Sequence, residues 1–297
     1  MDVLGSFSDA LSRIVEGAGR SVVRVEARRR RMASGIVWAP EGIIVTAQHA
    51  VEREDGIGIG LPSGEMVQAS LVGADPTTDV AVLRAAAPGL TPADWAAADD
   101  ARVGHVVVAL ARPGRTVRAA QGILSAVGEA WRTPGGGQID RYLQPDVAAY
   151  PGFSGGPLVT TFGNVLGLDT TGILRGVVLA VPAQTVRRVV DTILAHGRVR
   201  RGYLGVGAHP VRLPGPLEQQ LGQKTGLIVV SVEPGGPAER GGLLIGDVVT
   251  GLERERTRRL DDLVAFLTED RIGTTIQVHV VRAARVQDLT VVVGERA

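Results

Sequence analysis

Ser154 stands among glycines in the stretch Pro151-Gly152-Phe153-Ser154-Gly155-Gly156-Pro157-Leu158. Glycine gives up more backbone entropy on ordering than any other residue, so Gly152, Gly155 and Gly156 together mark a backbone held in an unusual shape. Acyl transfer needs such a backbone: a nucleophilic serine must sit in a tight turn whose own N–H groups face the oxyanion that it creates. The same letters also suit a plain loop between two strands, so the choice turns on partners elsewhere in the chain. Two upstream stretches supply them. Gly42-Ile43-Ile44-Val45-Thr46-Ala47-Gln48-His49-Ala50 is an apolar strand that delivers a histidine at its end, and Asp75-Pro76-Thr77-Thr78-Asp79-Val80-Ala81-Val82-Leu83 is a turn that delivers an aspartate to the next strand. The chain order is then His49, Asp79, Ser154, one of the orders in which nucleophile, base and orienting carboxylate occur.

The other histidines read as structural or surface residues. His105 precedes a strand, His196 ends a helix, His209 precedes Pro210, and His279 lies within a late strand. His49 alone is placed for proton relay, work for which histidine is the most common side chain. Two aspartates compete for the third role. Asp75 before Pro76 is a good turn former, whereas Asp79 opens the strand Val80 to Leu83.

The elements that must position these residues are short strands. The 297 residues include 40 Gly but only 3 Tyr, 3 Trp and 4 Phe, so aliphatic cores and many tight turns are expected. There is no cysteine, which excludes a disulfide framework and a thiolate metal site. A net charge of +1 gives no field for nucleic acid. The run Arg28 to Arg31 reads as a solvated hairpin tip between two strands. Met1 to Leu11 carries neither a basic start nor an apolar run, and no stretch reaches the ~18 apolar residues of a membrane span, so the sequence as written reads as cytoplasmic, without an export signal.

Ser8 to Glu16 has helical spacing. Six apolar runs then lie between Ser21 and Ala87 (SVVRVE, SGIVWA, GIIVTA, GIGIGL, MVQASLVGA, DVAVLR) with no helix between them, which suits a closed antiparallel barrel. After a crossover from Pro88 to Asp100, six more from His105 to Val181 suggest a second barrel (HVVVALA, VRAAQGILSAVG, RYLQ, GPLVTTFG, NVLGLDT, GVVLAV). The expected fold is therefore mainly β, two six-stranded antiparallel barrels with Ser154 facing His49 and Asp79 across a cleft between them. From Pro182 to His196 the period changes to helical, with Gly197 as the stop, and this helix is expected to pack on the second barrel. Arg198 to Gly202 reads as a linker, and the rest as a small β-rich module with two helical candidates, the clearer marked by Leu260, Leu263, Val264 and Leu267.

With its His49, Asp79 and Ser154 motifs, and with Thr185 to Leu204 leading into the last module, the sequence resembles the HtrA/Deg family of chymotrypsin-like serine proteases over nearly its whole length. Asp79 matches the position that this family uses. The resemblance implies a protease domain at residues 1–198 and a PDZ domain at 199–297. Tyr203-Leu204-Gly205-Val206 resembles the carboxylate-binding loop of a PDZ domain, where backbone N–H groups capture a chain terminus, with Leu263 and Leu267 on the adjoining helix. Glu253-Arg254-Glu255-Arg256 stands where a glycine-containing turn is usual, which suggests a remodelled hairpin.

Further expectations follow from the resemblance. The oxyanion hole would be the N–H groups of Gly152 and Ser154; Phe153 replaces the short polar residue usual between them, so a poorly formed resting hole is conceivable. The pocket for the residue before the scissile bond would have Ala148, six residues before the nucleophile, at its floor, with Thr170, Val177 and Val178 on its walls. With no carboxylate at that floor, cleavage after small or medium aliphatic residues is expected and basic specificity is not. The implied activity is ATP-independent endoproteolysis of unfolded or damaged proteins without a cofactor, in line with the lack of a GxxxxGK[ST] loop. The family also implies a homotrimer formed through aromatic contacts near the start of the chain, where Phe7 could serve or could equally be a core contact. It places many relatives outside the cytoplasm, so a periplasmic or envelope location is the alternative for a processed chain. The competing function is a non-proteolytic chaperone or peptide-binding scaffold built on the PDZ module.

Overall fold

The aliphatic runs close into sheets in the computed structural model, which describes residues 3–28, 32–96, 101–148, 150–197 and 202–295. Arg29 to Arg31 of the basic run and Arg198 to Arg201 of the expected linker lie outside the described residues. The chain divides into two units, Met1–Val199 and Arg200–Ala297.

In the first unit, β1 (Val22–Glu26), β2 (Ala33–Ala39), β3 (Ile43–Ala47), β4 (Ile57–Gly60), β5 (Met66–Asp75) and β6 (Val80–Ala85) form a closed barrel in the order β1-β2-β3-β6-β5-β4. Strand β4 returns to β1, so the barrel has no edge. Ile36, Ile44, Ile57, Ile59 and Leu83 are fully buried within it. Each such side chain contributes roughly 1.5–3 kcal/mol, the main source of stability in a chain without disulfides.

Next come β7 (Val106–Ala111), β8 (Arg118–Gly128), the short ribbon β9 (Trp131–Arg132) with β10 (Gln138–Ile139), then β11 (Tyr142–Pro145), β12 (Pro157–Thr160), β13 (Val165–Thr170) and β14 (Leu179–Pro182). Six of these make a sheet in the order β11-β8-β7-β12-β13-β14 whose end strands lie against each other, giving the second barrel-like layer. Nothing in the sequence announces the ribbon, since two-residue strands carry no readable period. Beside it, Thr133 Oγ1 donates to the Thr77 carbonyl at 2.7 Å, which braces the turn that carries Asp79.

Two helices differ from expectation. Helix α1 (Val3–Ala18) begins before Ser8, because Leu11, Ile14, Val15 and Ala18 anchor it on the first core and packing outweighs the capping signal of Ser8-Asp9. Phe7 is 42% exposed, so it is not a core contact. Helix α2 (Ala183–His196) ends at Gly197, whose φ is +75°. It lies on β5 and β6 of the first barrel as well as on β13 and β14. Close approach at Gly73 of β5 allows this: a Cβ there would come within 2.8 Å of Ile193 Cγ2.

The second unit contains β15 (Gly202–Tyr203), β16 (Val206–Arg212), α3 (Gly215–Leu221), β17 (Thr225–Val232), α4 (Pro237–Arg240), β18 (Val248–Leu252), β19 (Glu255–Arg256), α5 (Leu260–Phe266), β20 (Thr275–Arg282), β21 (Arg285–Val292) and β22 (Gly294–Glu295). The sheet order β16-β17-β18-β20-β21 leaves β16 at an edge, with α5 beside it. Glu253 takes a left-handed φ of +54°, so the hairpin keeps a glycine-like path without glycine. Its carbonyl accepts from His279 Nε2 at 2.6 Å, and its carboxylate accepts the Gln277 N–H at 2.9 Å.

Candidate active site

His49 sits on a single 3-10 turn, Gln48–Ala50, where β3 ends and its chain leaves the barrel wall. Asp79 meets it from the start of β6. The Asp79 carboxylate accepts the His49 backbone N–H at 2.7 Å through Oδ1 and lies 2.7 Å from His49 Nδ1 through Oδ2. A carboxylate can only accept, so Nδ1 carries the proton and Nε2 is left as the basic nitrogen. Asp79 is 3% exposed with φ +59°, a left-handed conformation that aspartate tolerates and most residues do not. Its Oδ2 also accepts from Thr170 Oγ1, which in turn accepts the Gly172 N–H at 2.9 Å. Asp75 has other work: it accepts from the Thr77 N–H and from both the Thr77 and Thr78 hydroxyls, closing the turn.

The loop at Ser154 is a turn with a proline and a glycine at its centre. The Phe153 N–H donates to the Tyr150 carbonyl at 3.2 Å, and Gly152 has φ +92°, the pattern of a type II turn. Gly155 N–H donates to the Asp169 carbonyl and Asp169 N–H to the Gly156 carbonyl, each at 2.8 Å, which docks the loop on β13. Phe153 is buried in the second core, where its ring lies 5.8 Å from that of Tyr150. Among the described residues, the amides of Phe153, Gly155 and Gly156 have acceptors, while those of Gly152 and Ser154 have none. Ser154 Oγ lies 3.4 Å from Thr171 Oγ1 and makes no hydrogen bond to His49.

His49 and Ser154 line one cleft of about 780 Å³, and Ala148, Thr170, Val177 and Val178 line it too. The structure therefore gathers the residues expected from sequence around one cavity, with His49 and Asp79 bonded and Ser154 across the same space. Thr170 differs in detail, since its hydroxyl turns to Asp79. Asp169 also lines the cleft, and burial pushes its carboxyl well above the usual carboxylate range.

Known proteins match both parts of the chain. A trypsin-like peptidase domain model matches residues 33–168 and a PDZ domain model residues 202–293. Serine endoprotease DegS of Escherichia coli is 32% identical over 281 residues, covering 90% of this chain and 77% of DegS. The chain belongs to the HtrA family of serine proteases. A probable periplasmic DegP-like serine endoprotease of Brucella suis is 35% identical over 271 residues, 88% of this chain and 52% of that protein. The chain thus spans about half the length of its DegP-like relatives. Among solved structures, the HtrA-type protease AlgW with decapeptide matches with a TM-score of 0.74 and 28% identity over 96% of this chain and 98% of that one. The serine endoprotease from Yersinia pestis matches equally, with a TM-score of 0.74 and 28% identity.

In this HtrA-family chain the PDZ residues group as follows. Leu204 and Leu263 are buried in one core, Val206 and Leu267 pack against it, and Gly205 has φ +80° between β15 and β16. Tyr203 pairs with Gly294 of β22. Sequence reasoning missed Ser34, Gly172 and Asp169. Ser34 is a small residue within an apolar strand and Gly172 an ordinary loop glycine, and only folding brings Ser34 to the Gly152 carbonyl, Gly172 to the His49–Asp79 pair and Asp169 to the cleft. No described helix is long and apolar enough to cross a membrane.

Proposed function

We propose that this chain is an ATP-independent serine endopeptidase acting on unfolded or damaged proteins, with residues 1–198 as protease domain and 199–297 as PDZ domain. The observation that carries this reading is the pairing of Asp79 with His49 Nδ1 on the cleft that Ser154 shares. In the reaction, Ser154 Oγ attacks the scissile carbonyl carbon while His49 Nε2 takes its proton. The carbonyl oxygen becomes an oxyanion received by the Gly152 and Ser154 N–H groups, donors worth about 10²–10³ in rate each. Collapse breaks the C–N bond, the imidazolium gives its proton to the leaving amine, and Ser154 holds an acyl ester. Water then attacks the ester with His49 again as base, releasing the acid and restoring the hydroxyl. Asp79 keeps the tautomer and steadies the imidazolium, while Thr170 holds Asp79.

The PDZ domain would take a substrate chain or C-terminal peptide as an added strand on the edge of β16, beside α5, with its carboxylate at Tyr203 to Val206. Leu263 and Leu267 on and beside α5 would supply the apolar side of that groove. A homotrimer acting in protein quality control follows from family likeness. The relatives named periplasmic favour the cell envelope over the cytoplasm.

The test is fluorophosphonate labelling together with digestion of unfolded casein, by the wild type and by Ser154→Ala. Labelling at Ser154 and fragments from the wild type alone support the reading. A wild type that neither labels nor cuts points instead to a peptide-binding scaffold.

A further inference from the structure

Among the described residues, Asp169 is the carboxyl in the cleft that the reaction does not use. It lies on β13 between Leu168, which is fully buried, and Thr170, whose hydroxyl serves Asp79. Successive side chains alternate across a strand, so Asp169 points to the other side of β13 from Leu168 and Thr170; Thr171, just past the strand, lines the same cleft with its hydroxyl 3.4 Å from Ser154 Oγ. Ala148, Val177 and Val178 line the same space with apolar groups. Asp169 is 2% exposed, and neither carboxyl oxygen has a hydrogen-bond partner among the described residues. An unpartnered buried polar group is rare in a folded protein and calls for a reason, and Asp169 lines the cleft that the nucleophile shares.

We propose that Asp169 is a specificity-determining residue of the primary pocket, where its carboxyl hydrogen-bonds an uncharged polar side chain, a hydroxyl or carboxamide, of the residue before the scissile bond. The inference rests on Ser154 being the nucleophile. Burial raises the Asp169 carboxyl well above its ordinary range and so favours its neutral form, which has one donor and free acceptor positions. A threonine entering the pocket pairs with it, whereas a valine of the same shape leaves it bare, so a polar preference replaces the aliphatic one expected from the sequence. Sites that hydrogen-bond a substrate group discriminate against the analogue lacking it far better than an apolar pocket discriminates one methylene. Ala148, Val177 and Val178 line the space with apolar groups, where a charged side chain would be costly to bury.

The experiment uses the full chain and peptides that differ only in the residue before the cut, in two near-isosteric pairs, Thr against Val and Asn against Leu. The readout is the kcat/KM ratio within each pair for the wild type, Asp169→Asn, Asp169→Val and Asp169→Ala. The wild type should favour the polar member by about 10-fold or more. Asp169→Asn should keep that sign, and Asp169→Val and Asp169→Ala should reverse it. Two apolar variants guard against the misfolding of either one. Equal ratios in all the proteins, a wild type that prefers Val and Leu, or a profile led by Lys and Arg would overturn the proposal. Fluorophosphonate labelling separates this failure from that of the nucleophile: a labelled, active enzyme with ratios indifferent to residue 169 refutes only the pocket assignment, whereas an unlabelled wild type removes both.

Discussion

Ser34 Oγ donates to the Gly152 carbonyl at 2.7 Å and accepts the Arg112 N–H at 2.8 Å, so one hydroxyl of the first barrel clamps the turn before the nucleophile. Its backbone joins in, as the Ser34 N–H donates to the Ser154 carbonyl at 3.1 Å. Ser34→Ala leaves a carbonyl and an amide unpaired in a buried place, a cost of about 1–3 kcal/mol. It also frees the turn that aims the Gly152 amide. We expect kcat to fall by roughly 10- to 100-fold with KM changed little, less than the loss of an oxyanion donor itself. Steady-state kinetics with thermal unfolding test this, and a stability loss without a kcat effect would show that the clamp does not reach the oxyanion site.

Ser154→Ala and His49→Ala should each lower turnover by several orders of magnitude in a folded protein, because such groups act as a unit. Asp79→Asn should cost about 10⁴ in kcat through the wrong tautomer. Asparagine also accepts the left-handed φ of +59° that position 79 requires, so this variant should keep its fold better than Asp79→Ala. Casein digestion and circular dichroism decide, and wild-type proteolysis by Ser154→Ala would end the proposal.

Gly172 packs against the paired residues. A Cβ there would lie 2.5 Å from His49 Nδ1 and 2.6 Å from Asp79 Oδ2, so something must move. Gly172→Ala should therefore displace the imidazole while leaving both cores alone. A misplacement of about 1 Å costs on the order of 100-fold in rate. We expect that loss in kcat/KM with a nearly unchanged melting temperature; unaltered kinetics would mean that the loop yields and the pair does not.

In the second unit, Arg282 grips Asp247 with two hydrogen bonds of 2.7 Å and donates a third to the Gly242 carbonyl. Burial by itself raises the Asp247 carboxyl, but hydrogen bonds from Arg282 and the Leu244 amide, with the charge of Arg282, outweigh it and hold the carboxyl below its ordinary 3.8. A depressed carboxyl stabilises the fold above its unfolded pKa, and that contribution is lost as pH falls through the folded value. Arg282→Met strands the buried charge and should cost roughly 3 kcal/mol at neutral pH. The gap to the wild type should narrow as the pH falls through the carboxylate range, because the buried Asp247 of the variant, without Arg282, takes up its proton at a higher pH than the wild-type carboxyl does. Urea unfolding at pH 7 and pH 3 measures both; a gap independent of pH would remove Asp247 from the explanation.

The sequence by itself determined the parts whose cause is local. A strand of the first barrel ending in His49, a turn presenting Asp79 and a glycine-rich turn around Ser154 each carry their signal within about ten residues. So do the twelve strands of the two six-stranded sheets and the stop of α2 at Gly197. Tertiary structure alone decided what depends on register and distant contact. Ser34 meets Gly152 across 118 positions of chain, and the ribbon of β9 and β10 braces a turn from the first barrel, and neither leaves a period to read. The unpartnered burial of Asp169 is of the same kind. In sequence it is one polar residue after Leu168 in a short strand, and it becomes the chemical character of a pocket only when the loop carrying Ser154 docks upon it. Desolvation is a property of the surrounding volume, and that volume is assembled from residues that the local sequence does not contain.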